Sequence, residues 1–278
     1  HHLEGEFISV WKPFFHGRCQ RFYAIGEHVL SSKKTILIVI PAHLCMSPRP
    51  VKEADTLNSA GYDVRVVGVW LDVSKSKEDQ RILREKHWRF EVAADMRRGL
   101  SCNSLMLRGK RRLAAYANRH LCMQWPDQFS YAIRLLLKYA LQFKADLTIV
   151  HSEAGLWVGS RLLKSGYRVG VDFEDWYSED LLECDRQTRP VKYLKRLEEE
   201  LLRKCKYRTC PSHAMAHQLG KVYKASEPEV IYNSFPMRTG ISKELTARDH
   251  KHNSSVSLFW YSQRIGPGRG LSAILPLL

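Results

Sequence analysis

A short apolar run, TILIVI at Thr35–Ile40, ends at Pro41, and segments of the same kind recur along the chain. An unbroken apolar run of strand length suits a parallel strand covered on both faces. After it, Val51, Ala54 and Leu57 fall at helical spacing, with Pro50 at the start of the segment and Gly61 just past its end. YDVRVVGVW reads as the next strand, and WRFEV from Trp88 as a weak one. KRRLAAYANRHL and DQFSYAIRLLLKYALQF read as helices separated at Trp125-Pro126. ADLTIVHS is a strand, AGLWVGSRLLKSG a helix closed by Gly166, and YRVGVDFED a strand running into acidic residues. RPVKYLKRLEEELLRKC carries an apolar stripe of Val191, Leu194, Leu197, Leu201 and Cys205. YRTCPS and EVIYNSFP are two further short strands. This alternation predicts an α/β, Rossmann-like open parallel sheet with helices on both faces.

Composition places few limits on this reading. The chain has 278 residues, 44% apolar and 26% charged, enough apolar material for a core. No run reaches the roughly 20 apolar residues of a membrane span. The opening HHLEGEF reads as a tag remnant, and residues 1–34 as an N-terminal extension or arm. The net charge of +15 calls for an anionic partner: nucleic acid, a phospholipid surface or a phosphorylated substrate. The charge collects in RILREKHWRF, DMRRG, LRGKRR, RPVKYLKR and LLRKCKYR, each of which also suits a solvated helix face. The seven cysteines form no CxxC pair and have no histidine at zinc-ligand spacing, so buried free thiols in a reducing compartment are expected and no metal site is predicted.

In an open α/β sheet, ligands bind beyond the carboxyl ends of the strands. That rule selects Arg49 after the first strand, His151 and Glu153 after ADLTIV, Asp172 in DFED, and Asn233 in YNSFP. Each has a plain structural alternative. His151 could bond a loop backbone, Asp172 could cap, Asn233 could serve a turn, and Arg49 could be a surface charge beside an anion-favouring helix start. No GxGxxG follows the first strand, and neither GxxxxGK[ST] nor GxSxG occurs, so dinucleotide, P-loop and hydrolase-elbow readings are disfavoured. The one glycine-rich, phosphate-type loop is Gly266-Pro267-Gly268-Arg269-Gly270, after VSLFWYS. Its backbone N–H groups, with Arg264 and Arg269, could neutralise a diphosphate.

From about Thr35 onward these blocks, in this order and spacing, resemble retaining glycosyltransferases of the GT-B fold, family 4. The resemblance implies two Rossmann-like domains facing across a cleft. Residues 35–240 would be the N-terminal, acceptor-side domain and 241–255 a linker. Residues 256–278 would be the first strand and helix of a truncated donor-binding domain. It implies transfer of a sugar from a nucleotide-sugar to a hydroxyl acceptor with retention, without metal or other cofactor. His151 would line the cleft beside the sugar. Arg264, Gly268 and Arg269 would hold the donor diphosphate, and Arg49, Glu153, Asp172 and Asn233 would lie on the cleft or acceptor side. The acceptor would be lipid-linked or a polysaccharide, the location cytoplasmic with peripheral attachment to an anionic membrane face, and the fragment inactive or weakly active. A GT-B nucleotide-sugar epimerase and a basic nucleic-acid-binding or docking module are the alternatives.

Overall fold

In the computed structural model the described residues are 33–99, 101–121, 123–180, 186, 189–235, 258–261 and 270–277. The chain divides into two compact units, His1–Tyr232 and Asn233–Leu278. The first unit holds seven strands: β1 Thr35–Val39, β2 Asp63–Trp70, β3 Arg89–Asp95, β4 Leu147–His151, β5 Val169–Asp172, β6 Tyr207–Cys210 and β7 Glu229–Val230. All pair in parallel, in the order β3-β2-β1-β4-β5-β6-β7. Its helices are α1 Pro48–Ser59, α2 Val73–Leu83, α3 Cys102–Leu121, α4 Ile133–Phe143, α5 Ser152–Lys164, α6 Val191–Lys204 and α7 His213–Tyr223.

Alternation along each strand sorts the core into two layers. Leu37, Val39, Val67, Val150 and Val171 face a layer built with α4, α5, α6 and α7. Ile36, Ile38, Val64, Val66, Ile149 and Tyr207 face the opposite layer, closed by Ala54 and Leu57 of α1. The expected open parallel sheet with helices on both faces is therefore the observed fold.

One helix was not foreseen, and two local expectations change. α2 has few apolar residues and no apolar stripe in the sequence. Its start is set by Asp72, whose side chain accepts from the Lys75 N–H, and it is anchored by the fully buried Asp79. The helix expected from Asp127 begins only at Ile133, because Pro126 opens a separate 3-10 turn, Pro126–Gln128, first. In the second unit, residues 258–261 carry no strand. No strand among the described residues pairs with them, and Phe259 and Tyr261 are exposed. A lone strand has no ladder to stabilise it. That unit's described helix, α8 Leu271–Ile274, follows Gly270 at φ 82°. The linker at 241–255 lies outside the described residues. The cysteines also divide: Cys205 and Cys210 are buried, whereas Cys102 is exposed at the start of α3, against the expectation of buried thiols.

One close approach links the sheet to the site. Gly170 of β5 lies opposite Tyr207 of β6. A Cβ added to Gly170 would come within 2.5 Å of the Tyr207 ring. The bare glycine lets the tyrosine lie flat across β5. Gly170→Ala is expected to cost about 1–3 kcal/mol from overpacking, and urea denaturation of the pure variant measures it. An unchanged midpoint would show that the ring is not packed on Gly170.

Candidate functional site

Because every strand is parallel, all the carboxyl ends share one edge of the sheet. The connection from β1 runs one way along the sheet, to β2, and that from β4 runs the other, to β5. The topological switch point therefore lies between β1 and β4, where open α/β sheets place their ligands. His151 ends β4, Asp172 ends β5 beside it, and Thr209 of β6 is Asp172's other neighbour. From the β1 side, α1 crosses this edge and presents Arg49 and Glu53, one helical turn apart on one face.

These side chains form one buried network. The Arg49 guanidinium grips Asp172 with both arms, Nε to Oδ2 at 2.5 Å and Nη2 to Oδ1 at 2.8 Å, and donates from Nη1 to the Ile231 carbonyl at 2.6 Å. Thr209 Oγ1 donates to Asp172 Oδ1 at 2.8 Å. His151 Nε2 lies 2.7 Å from Glu53 Oε2, and the Tyr207 hydroxyl donates to Glu53 Oε1 at 2.8 Å. His151 Nδ1 is buried without a well-aligned hydrogen bond, 3.4 Å from Glu174 Oε1 and 3.6 Å from Asp172 Oδ2.

The network fixes its own charge states. Burial opposes an imidazolium at His151, but Glu53 and Glu174 outweigh it and hold the ring's pKa well above the ordinary histidine value. Burial likewise opposes ionisation of Asp172, yet Arg49, His151 and Thr209 hold its carboxyl below the usual carboxylate range. His151, Asp172 and Glu174 could each offer one ligand atom to a metal, with these atoms within 4.8 Å of one another. Both Asp172 oxygens are already committed to a guanidinium, so an ion there would have to displace Arg49. The donor set fits an internal ion-pair network better than a metal cradle.

The turn from β4 into α5 is strained. Ser152 follows His151 at φ 69°, in the left-handed region that L-residues avoid, and its buried Oγ has no hydrogen-bond partner among the described residues. Gly155 lets the first turn of α5 close on β4, since a Cβ there would sit 3.2 Å from the Val150 carbonyl carbon. Glu153 points towards Arg189, at 2.6 Å. Burial pushes its carboxyl up to about 7, against the attraction of Arg189.

Two further buried polar clusters hold loops at the same edge. His43 Nε2 accepts from the Leu71 and Asp72 N–H groups at 2.8 and 3.1 Å, which puts its proton on Nδ1, facing Asp79 Oδ2 at 2.8 Å. This pins the loop after β1 to the loop after β2. Glu198 of α6 accepts from the Ser178 N–H at 3.0 Å and from the Tyr223 hydroxyl at 2.6 Å, which fixes the loop after β5.

Of the residues selected from the sequence, the structure brings together Arg49, His151 and Asp172, and sets Glu153 beside them on a separate ion pair. Asn233 is exposed and begins the second unit. Arg264, Gly268 and Arg269 lie outside the described residues. His151 is 1% exposed, so it does not line an open cleft as the resemblance implied. Glu53, Tyr207 and Thr209 were not selected. Their signal was weak: Glu53 reads as one polar position on a helix, and its partner is 98 residues away.

Among the described residues, concavities lie along this edge. A crevice of about 20 Å³ touches Arg49, Glu53, Asp172, Tyr207 and Tyr232, with room for little more than water. A larger cavity of about 430 Å³ opens where β3, α3 and the start of α4 meet, lined by Asp95, Asn103, Met106, Lys110, Asp127 and Arg134.

No protein-family model matches the chain, and no curated protein matches it. Among solved structures, sucrose-phosphate synthase from Thermosynechococcus elongatus is similar twice. One match has 11% identity and TM-score 0.40 over 77% of this chain and 96% of that one; the other has 12% and 0.43 over 72% and 48%. UGT2 from Phytolacca americana, solved with UDP-2fluoro-glucose and pterostilbene, matches at 8% identity and TM-score 0.44, over 76% of this chain and 56% of that one. A glycosyltransferase from Rickettsia africae ESF-5 matches at 15% and 0.38, over 72% and 42%. The chain spans about half the length of the longer structures it matches. At these identities and TM-scores the likenesses assign no function.

Glu153 yields a pH test. A carboxyl whose folded pKa is raised stabilises the fold fully below its unfolded value of 4.5, and that contribution is lost as pH rises through about 7. Between pH 4.5 and 8 this one group should remove up to about 3 kcal/mol of stability. Urea unfolding of Glu153→Gln should show a pH dependence shallower by about 2–3 kcal/mol over that window. Parallel profiles for variant and parent would contradict the assignment.

Proposed function

We propose that this chain carries the acceptor-side Rossmann-like domain of a retaining GT-B glycosyltransferase, with residues 256–278 opening a donor-binding second domain. The enzyme transfers a sugar from a nucleotide-sugar to a hydroxyl acceptor. The supporting observation is the switch-point network, in which Arg49 and Glu53 from the β1 side meet His151 and Asp172 from the β4 and β5 side. It stands where the sequence blocks place a sugar-handling cleft.

On this reading His151 is a positioning residue. Its imidazolium, buried among carboxylates, holds Glu174 at the sheet edge, where that partly exposed side chain can accept hydrogen bonds from sugar hydroxyls. The cavity of about 430 Å³ is within the range that small ligands occupy and offers both charge signs and apolar wall to an acceptor. Arg264 and Arg269 would neutralise charge growing on the departing diphosphate, the electrostatic contribution that usually lowers such barriers most.

The test pairs binding with product stereochemistry. A panel of nucleoside diphosphate sugars is screened for concentration-dependent rises in Tm, and stabilising donors are offered to hydroxyl acceptors with the anomeric configuration read by proton NMR. The expected result is stabilisation by at least one donor, lost in Arg264→Ala/Arg269→Ala, and slow transfer with retention. No stabilisation by any donor at millimolar concentration, or an inverted product, would overturn the proposal. Epimerised nucleotide-sugar formed without acceptor would identify the epimerase alternative.

A further inference from the structure

Helix α3 carries an exposed apolar stripe in addition to the face that seats it on the core. At about 100° per residue, Leu105, Met106, Gly109, Leu113 and Tyr116 fall within an arc of about 100°. The four side chains on that arc are each more than half exposed, Leu105 51%, Met106 51%, Leu113 55% and Tyr116 58%. The opposite face carries the buried Ser104 and Ala114 and the half-buried Leu107, which packs on the core, while the buried Ala117 lies at the border of the stripe. Leu121, the last residue of α3, and Met123 just beyond it are also exposed.

The charges around this stripe have one sign. No Asp or Glu occurs between Asp95 and Asp127, a segment that holds seven Lys and Arg residues. Arg108, Arg112 and Arg119 border the stripe on one side and Lys110 on the other. Arg97 is committed to Asp95, and Arg111 covers the Tyr131 ring at 4.3 Å. Among the described residues, none of Arg98, Arg108, Lys110, Arg112 and Arg119 pairs with a carboxylate.

We propose that α3 is a membrane-surface helix, lying along an anionic bilayer with Leu105, Met106, Leu113 and Tyr116 in the acyl boundary and Arg108, Lys110, Arg112 and Arg119 at the phosphate level. A basic helix with an outward apolar stripe is the pattern of an interfacial anchor. A nucleic acid would match the arginines but has no use for a central stripe of Leu, Met and Tyr, since its backbone contacts are polar and charged. The stripe also distinguishes α3 from α6, whose apolar residues Leu194, Leu197 and Leu201 face the core. This docking does not depend on the transferase reading, and its test involves no sugar.

The experiment is co-sedimentation of the full chain with vesicles of phosphatidylcholine alone and of phosphatidylcholine with one-quarter phosphatidylglycerol, at low and at physiological salt. Two exposed-face variants accompany it, Leu105→Ser/Leu113→Ser/Tyr116→Ser and Arg108→Gln/Arg112→Gln/Arg119→Gln, each with its Tm. Binding to the anionic vesicles should exceed binding to the neutral ones by at least about tenfold and weaken with salt. The arginine variant should lose about fivefold per cation, or about 100-fold in all. The apolar variant should lose at least tenfold even at low salt, with Tm unchanged in both. Equal binding to the two vesicle types, or variants that bind like the parent, would overturn the proposal. So would a duplex or RNA bound by the parent and lost in the arginine variant with no vesicle binding. A lowered Tm without any change in vesicle binding would show the face to be covered by the chain itself. Self-association abolished by the apolar variant, again without vesicle binding, would show it covered by a second copy; either result rejects the membrane.

Discussion

The two-armed grip of Arg49 on Asp172 is the contact on which the sheet's functional edge depends. Both groups are almost fully buried, with side chains 10% and 3% exposed. Stripping water from either alone costs several kcal/mol, and removing one partner from such a pair costs about 3–5 kcal/mol. Neither residue could occupy its place without the other. The pair ties α1, which follows β1, to the end of β5, with the end of β4 between them. It thus adds a side-chain tie across the topological switch point, beyond the ends of the β1–β4 ladder. The third arm of Arg49, on the Ile231 carbonyl, carries the same constraint to the far edge of the sheet.

The rest of the network follows from that closure. Glu53, one turn along α1, is drawn into the same buried layer and needs partners of its own. His151 and Tyr207 supply them, and Tyr207 can do so only because Gly170 leaves room for its ring. The cluster holds two cations, Arg49 and His151, against the carboxylates of Asp172, Glu53 and Glu174. A neutral His151 would leave more negative charge around the ring, so the carboxylates favour the imidazolium. Ser152, immediately after that ring, takes a strained positive φ where the chain turns from β4 into α5. A buried histidine bonded through Nε2 to Glu53 acts by fixing its neighbours, which is why its position at the end of a strand suggests an open cleft more readily than its side chain delivers one.

Much of the fold is legible in the sequence because parallel strands covered on both faces must be apolar throughout. TILIV, LTIV and VGV therefore stand out from their surroundings. The rule that ligands gather at the strands' carboxyl ends then selects His151 and Asp172 directly. Illegible are contacts made at long separation by residues with no periodic signature. Arg49 meets Asp172 across 123 residues, and nothing local marks Glu53 as buried. α2 escaped for the same reason: a cap at Asp72 and a buried Asp79 specify it, and polar contacts leave no hydrophobic period to read. In α3 the period is visible but ambiguous. Only the structure shows that Leu105, Met106, Leu113 and Tyr116 face outward.

The most direct test of this account is the protonation state of His151, read from the ring ¹⁵N shifts of selectively labelled protein across pH. Its neighbours hold the folded value well above the unfolded one near 6.5, so the imidazolium signature of His151 should still be present at pH 7, and its stabilising contribution, complete below the unfolded value, should be lost as pH rises through the folded one. A neutral tautomer at pH 7 would mean that Glu53, Asp172 and Glu174 are not gathered around the ring, and would contradict the ion-paired closure of the sheet edge.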